Sequence, residues 1–215
     1  MWQRVAHVLR ATGHDVFTPS LTGIGERAHL ASPAIDLSTH IADVLGTLAC
    51  ERLGEVVLVG HSYAGMVITG VADRVPEKVA SLVYLDAFVP ENGQSLFSVL
   101  PPDRRLVTVP GEDWLVAPIT SAGFGLKRPE VIALWERKST PHPLATLTQP
   151  VQLTGGVGRI KQKMYILATD PPRFTQFYDK LKNDPAWTVH TLPCSHFIQL
   201  EMPDELTAIL LKAIP

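Results

Sequence analysis

The stretch Glu55-Val56-Val57-Leu58-Val59-Gly60-His61-Ser62-Tyr63-Ala64-Gly65-Met66-Val67 decides the fold. Its apolar, β-branched first half reads as a buried strand, Gly-His-Ser-Tyr-Ala-Gly as a tight turn, and the remainder as the start of a helix. A serine at the crest of a strand-turn-helix sits as a nucleophile does, because the sharp turn lifts its hydroxyl clear of the sheet. Gly60 and Ala64 lie two residues to either side of Ser62, where such a turn leaves little room for side chains. Alanine stands where a second glycine is usual, and Gly65 follows directly. On the short pattern alone, an ordinary turn carrying a solvated serine is the competing reading; the flanking strand and helix weigh against it.

Working outward, residues 55–60, 64–74 and 81–88 form a strand-helix-strand unit, which favours parallel strands with helices on both faces. The strands are almost wholly apolar, as burial on both sides requires. Upstream, Val5, Val8 and Leu9 have helical spacing and Gly13 stops the helix. Residues 15–19 read as a strand and 20–33 as loop. A helix over 37–53 follows, with Leu37, Ile41, Val44, Leu45 and Leu48 on one face and Asp36 as its N-cap. From Val89 to Gly158 the pattern loosens into prolines, glycines and scattered aromatics. The rhythm then resumes with strands over 163–169 and 187–192 and helices over 174–182 and 204–214. The expected organisation is an α/β core formed by 1–88 and 159–215, interrupted by an inserted lid over 89–158.

At 215 residues the chain accommodates one domain with a sizeable core. A net charge of -2, with no basic run interleaved with aromatics, argues against a nucleic-acid partner. No apolar stretch approaches the roughly 18 residues of a membrane span, and the N-terminus lacks the apolar segment of a signal peptide. A cytoplasmic protein is the expectation. Two cysteines, Cys50 and Cys194, are too few for a disulfide framework and are expected as free thiols.

A serine hydroxyl is a weak nucleophile at neutral pH, so it needs a base within reach and a third group to orient that base. Of the eight histidines, His196 is best placed. It follows the last strand, in Pro193-Cys194-Ser195-His196-Phe197, and so emerges at the carboxyl edge of the sheet with Ser62. Two aspartates satisfy the chain order Ser, Asp, His. Asp170 closes the strand Tyr165-Ile166-Leu167-Ala168-Thr169, and Asp86 lies at the end of Tyr84-Leu85-Asp86. Asp170 is preferred, because the loop just before the base-bearing one is the usual place for the acid. Asp86 is the alternative acid, or else a residue that ties down the strand end by accepting backbone hydrogen bonds. His61 reads as a packing residue. Metal-ligand spacing and a complete phosphate-binding glycine pattern are lacking, so neither a metal nor another cofactor is expected.

These motifs, together with Pro19-Ser20-Leu21-Thr22-Gly23-Ile24-Gly25-Glu26-Arg27 and Tyr84-Leu85-Asp86-Ala87-Phe88-Val89-Pro90, resemble the α/β-hydrolase superfamily nearly end to end. Within it they are similar to the small esterase branch that includes plant methyl esterases, hydroxynitrile lyases and bacterial carboxylesterases such as pyrethroid hydrolases. The resemblance implies an α/β-hydrolase fold, an oxyanion hole to which Tyr63 gives its N–H, and a lid that shapes an acyl or alcohol pocket. Two departures stand out. Hydroxynitrile lyases of this branch carry a lysine directly after the catalytic histidine, where this chain has Phe197. Family members also start with an apolar strand and a His-Gly-rich loop before the first helix, whereas this chain begins at Met1-Trp2-Gln3-Arg4, almost inside that helix. The absent strand would lie between 15–19 and 55–60 in the sheet, and its loop would donate the second oxyanion N–H. A start truncated or assigned too late is therefore expected, together with an unsealed sheet.

The leading expectation is a serine carboxylesterase for a small or aromatic ester, working through an acyl-enzyme. A non-catalytic small-molecule binder and a hydroxynitrile-lyase-like enzyme are the alternatives. The expected partner is a small-molecule ester substrate, with no nucleic acid and no membrane; a homodimer is left open.

Overall fold

The computed structural model describes residues 1–100 and 106–214. Residues 101–105, within the expected 89–158 insertion, and residue 215 lie outside the described residues. The chain opens with α1 (Gln3–Ala11), stopped as expected at Gly13, whose φ is +90°. It continues through α2 (Leu37–Cys50), β1 (Val56–His61), α3 (Ala64–Arg74) and β2 (Val79–Leu85). The middle of the chain holds α4 (Leu96–Val99), β3 (Thr108–Val109), β4 (Glu112–Val116), α5 (Pro129–Lys138), β5 (His142–Pro143) and α6 (Leu144–Thr148). The rhythm returns with β6 (Gln162–Ala168), α7 (Thr175–Leu181), β7 (Trp187–Leu192), α8 (Ile198–Glu201) and α9 (Pro203–Leu211).

Strands β1, β2, β6 and β7 form one parallel sheet in that order. Parallel neighbours require crossovers, and each crossover here carries a helix or the long middle stretch. The all-apolar strands follow from burial on both faces. One face packs α2, α3 and α7 around Ile41, Met66, Val71, Leu82 and Tyr84. The other packs α1 and α9 around Val5, Val83, Ile166, Leu206 and Leu210. A separate antiparallel sheet, β3-β4-β5, lies in the stretch between β2 and β6.

Local chemistry sets several boundaries. Asp36 caps α2 as expected, accepting from the Thr39 N–H at 2.9 Å, while Gln149 Nε2 donates to its other oxygen. The strand expected to run to 88 stops at Leu85, because Asp86 takes φ +42° and turns the chain out of the ladder. The closing helix expected over 204–214 is α9, which starts at Pro203 and ends at Leu211, and the short α8 precedes it across Met202.

The largest departure is at residues 15–19, which form no strand. A strand exists by its ladder, and among the described residues β1 has a neighbour only in β2. The outer edge of β1 is correspondingly open. Val56 to Val59 are half-buried, whereas Leu82 to Leu85 in β2 are inaccessible to solvent.

Candidate active site

Three strand ends meet at the carboxyl edge of the sheet. The register pairs His61 with Leu85 and Leu85 with Ile166, so Ser62 and Asp86 leave adjacent strands side by side. Backbone bonds continue past the strands: Ser62 N–H donates to Leu85 O at 3.2 Å and Asp86 N–H to Ile166 O at 2.7 Å. The site is thus built on the ends of the edge strand β1 and its neighbour β2, tied to each other and to β6 by backbone hydrogen bonds.

Ser62 has φ +56°, a conformation that a non-glycine residue rarely holds. Two contacts explain why the turn persists. A Cβ at Gly60 would lie 2.8 Å from Ala64 O, and one at Gly65 only 2.0 Å from Phe88 O. The close approach in this turn therefore falls on Gly65 rather than on position 64, which accounts for the alanine there. The next residue, Tyr63, is already helical, and among the described residues its N–H has no acceptor. That N–H points from the start of α3, where backbone donors are unsatisfied and the helix dipole favours negative charge.

His196 is 1% exposed, and its Nδ1 lies 2.6 Å from Asp86 Oδ2. An ionised carboxylate only accepts, so Nδ1–H is the donor and the ring lone pair lies on Nε2, the tautomer that a general base requires. Asp86 is fully buried, and its second oxygen accepts the Ala168 N–H at 3.0 Å. It therefore does both things the sequence allowed it: it faces His196 and ties a neighbouring strand end.

Asp170 is placed differently. Its carboxylate is 59% exposed and paired with Lys127 Nζ at 2.8 Å. The preference for Asp170 as the partner of His196 is not met by this geometry, and the alternative, Asp86, is the acid in contact. The reason is reach and orientation. Asp170 lies two residues beyond the end of β6, with its N–H committed to Cys194 O, and its side chain turns outward to a lysine from the stretch between β2 and β6.

Other groups hold the loop that bears His196. His61 Nε2–H donates to the His196 carbonyl at 2.7 Å, and the two rings stand 4.4 Å apart. Burial, then the neighbouring His196, pushes the His61 pKa down to about 3, so it is a neutral brace. Sequence reasoning read His61 only as packing and missed this link between the serine turn and the histidine loop. Ser195 bonds the Glu201 carboxylate through both its N–H and its hydroxyl. Burial, then Glu201, pushes the Cys194 thiol up to about 12, which leaves it unreactive at neutral pH.

The Tyr63 side chain is anchored as well. Its hydroxyl donates to His40 Nδ1 at 2.8 Å, and His40 Nε2–H donates to Thr22 O at 2.8 Å. His142 of β5 packs edge-on against the Tyr63 ring. The residue that follows Ser62 is thereby held between α2 and the middle stretch. Among the described residues no group of three or more His, Cys, Asp or Glu side chains is arranged to hold a metal ion.

Comparison with known proteins identifies the family. The family model described as the alpha/beta hydrolase family matches residues 1–209. The carbendazim hydrolyzing esterase of Nocardioides sp. (strain SG-4G) is 44% identical over 222 aligned positions, covering 95% of this chain and 90% of that protein. Salicylic acid-binding protein 2 of Nicotiana tabacum is 23% identical over 98% of this chain and 90% of its own length. Among solved structures, an extracellular alpha/beta-hydrolase from a Paenibacillus species superposes with a TM-score of 0.80 at 20% identity, covering 99% of this chain and 92% of that one. The serine turn, the buried histidine-aspartate pair at the same sheet edge and the family match over nearly the whole length lead to one conclusion: the chain belongs to the α/β-hydrolase family.

Proposed function

We propose that the protein is a carboxylesterase-type serine hydrolase acting on small or aromatic carboxylic esters, with Ser62 as nucleophile, His196 as base and Asp86 as the orienting acid. The observation that carries this reading is the 2.6 Å contact between His196 Nδ1 and a fully buried Asp86, one strand away from a serine held at positive φ. The 44% identical esterase supports ester cleavage, and its named substrate makes carbendazim a rational first compound to test.

In the proposed reaction Ser62 Oγ attacks the ester carbonyl while its proton passes to His196 Nε2. Asp86 holds the imidazole and compensates the positive charge that forms on it. The Tyr63 N–H donates to the carbonyl oxygen as it becomes an oxyanion. Collapse expels the alcohol, which takes the proton from His196. Water then attacks the acyl-enzyme with His196 again as base, which releases the acid and restores Ser62.

The stretch over 89–158 serves in this reading as a lid. It supplies His142 against Tyr63, Lys127 to Asp170 and an aromatic cluster of Phe124 and Trp135 against Phe197. Phe197 is 3% exposed within that cluster and offers no charge for cyanide, which speaks against a lyase. The free thiols of Cys50 and Cys194 fit a reducing, cytoplasmic setting.

Turnover of p-nitrophenyl acetate and of carbendazim by wild type and Ser62→Ala tests the proposal. Wild type should release product with a Ser62-dependent acyl-enzyme visible by intact mass, and the variant should lose at least about 10³-fold in kcat. Equal rates in the two proteins, or ligand binding without turnover, would overturn it.

A further inference from the structure

The imidazole of His196 lies parallel to two phenyl rings that belong to different parts of the chain. Phe124 is 5.1 Å away between ring centres at an interplanar angle of 11°, and Phe174 is 5.3 Å away at 12°. Each phenyl is itself fixed edge-on by other aromatics: Phe124 by Trp135 and Phe197, Phe174 by Phe88. All three rings are almost completely buried, at 8%, 3% and 1% exposure for Phe124, Phe174 and His196. Offset parallel rings are a favoured aromatic geometry, and a phenyl face attracts a cation more than it attracts a neutral ring.

We propose that Phe124 and Phe174 are positioning residues for His196, holding the imidazole plane and stabilising the imidazolium that forms as Ser62 is deprotonated. The proposal rests on the assignment of His196 as the base. Burial alone would penalise the charged imidazole, and a base that resists protonation is a poor one. Asp86 compensates the charge at the ring edge, through Nδ1; the phenyl faces compensate it from the plane. Other ionisable groups lie near the ring. His61, at 4.4 Å, is neutral in the working range, Glu201 acts one residue away through Ser195, and the Arg173 guanidinium sits 5.2 Å from the centre of the Phe124 ring. A positive charge over Phe124 competes for that ring and lowers its share.

The test is the titration of His196 followed by NMR in protein carrying isotope-labelled histidine, beside the pH profile of kcat/KM. Wild type is compared with Phe174→Leu, Phe124→Leu and the conservative Phe174→Tyr. Leucine keeps an apolar side chain but removes the π face, so the His196 pKa and the acid limb of kcat/KM should both move to lower pH, by about half a unit for Phe174→Leu and less for Phe124→Leu. Phe174→Tyr should titrate as wild type. A limb that stays in place or moves to higher pH in both leucine variants overturns the proposal, since loss of packing alone would admit water and raise the pKa. The NMR titration needs no turnover, so it also separates the two claims. If the His196 pKa falls in the leucine variants while wild type shows no Ser62-dependent hydrolysis, the esterase reading fails and the ring effect stands.

Discussion

Two aspartates leave the same edge of the same sheet, and their surroundings differ in almost every respect. Asp86, at the end of β2, is inaccessible to solvent, held at positive φ, and engaged by a histidine and a backbone N–H. Asp170, beyond the end of β6, is 59% exposed and paired with Lys127. Chain order treats them alike, and so does their position at strand ends. What separates them is where each carboxylate is aimed, and of the two only the aspartate on the strand next to the serine is sequestered with His196. A buried carboxylate persists only where it is paired and hydrogen-bonded, which makes Asp86 a specialised group and Asp170 an ordinary surface ion pair.

The largest expected effect is on catalysis. Replacing Asp86 by Asn leaves the shape nearly unchanged but offers an amide to His196 Nδ1, which favours the wrong tautomer; kcat on p-nitrophenyl acetate should fall by about 10⁴-fold. The Asp170→Asn variant, assayed alongside, should stay within about threefold of wild type. Reversal of that ranking would break the comparison.

A smaller effect is expected on stability at acid pH. His61 and His142 both have pKa values pushed down to about 3 by burial, from the usual 6.5. Below pH 6.5 the unfolded chain takes up protons that the folded one refuses, so the stability they confer is complete above that pH and is lost as the pH falls toward 3. The cost is on the order of 1 kcal/mol per pH unit for each histidine. Thermal melts at pH 7 and 5 should show a Tm drop in wild type that is reduced in His142→Phe. An unchanged Tm between the two pH values would contradict the burial of these rings.

Much of this was legible in the sequence because it is local. The serine turn, the capped α2 and the apolar parallel strands each follow from a few adjacent residues, and the candidate base follows from its place after the last strand. The choice between Asp86 and Asp170 was not, because it depends on side-chain direction across contacts between residues 82 and 110 positions apart. The usual position of the acid pointed to Asp170; the positive φ at Asp86 that turns its carboxylate toward His196 has no signature in Tyr84-Leu85-Asp86-Ala87-Phe88. Residues 15–19 read as a strand by composition, yet a ladder needs a neighbour, and periodicity says nothing about whether one is there. The rings around His196 were visible only as scattered aromatics in a loose stretch.

The most direct test of the central claim is the proton on His196 Nδ1. Hydrogen-bonded to a buried carboxylate at 2.6 Å, it should give a far-downfield ¹H resonance, protected from solvent exchange, in wild type and in Asp170→Asn, and the resonance should vanish in Asp86→Asn. Persistence of that resonance in Asp86→Asn together with its loss in Asp170→Asn would contradict the account and return the acid to the β6 strand end.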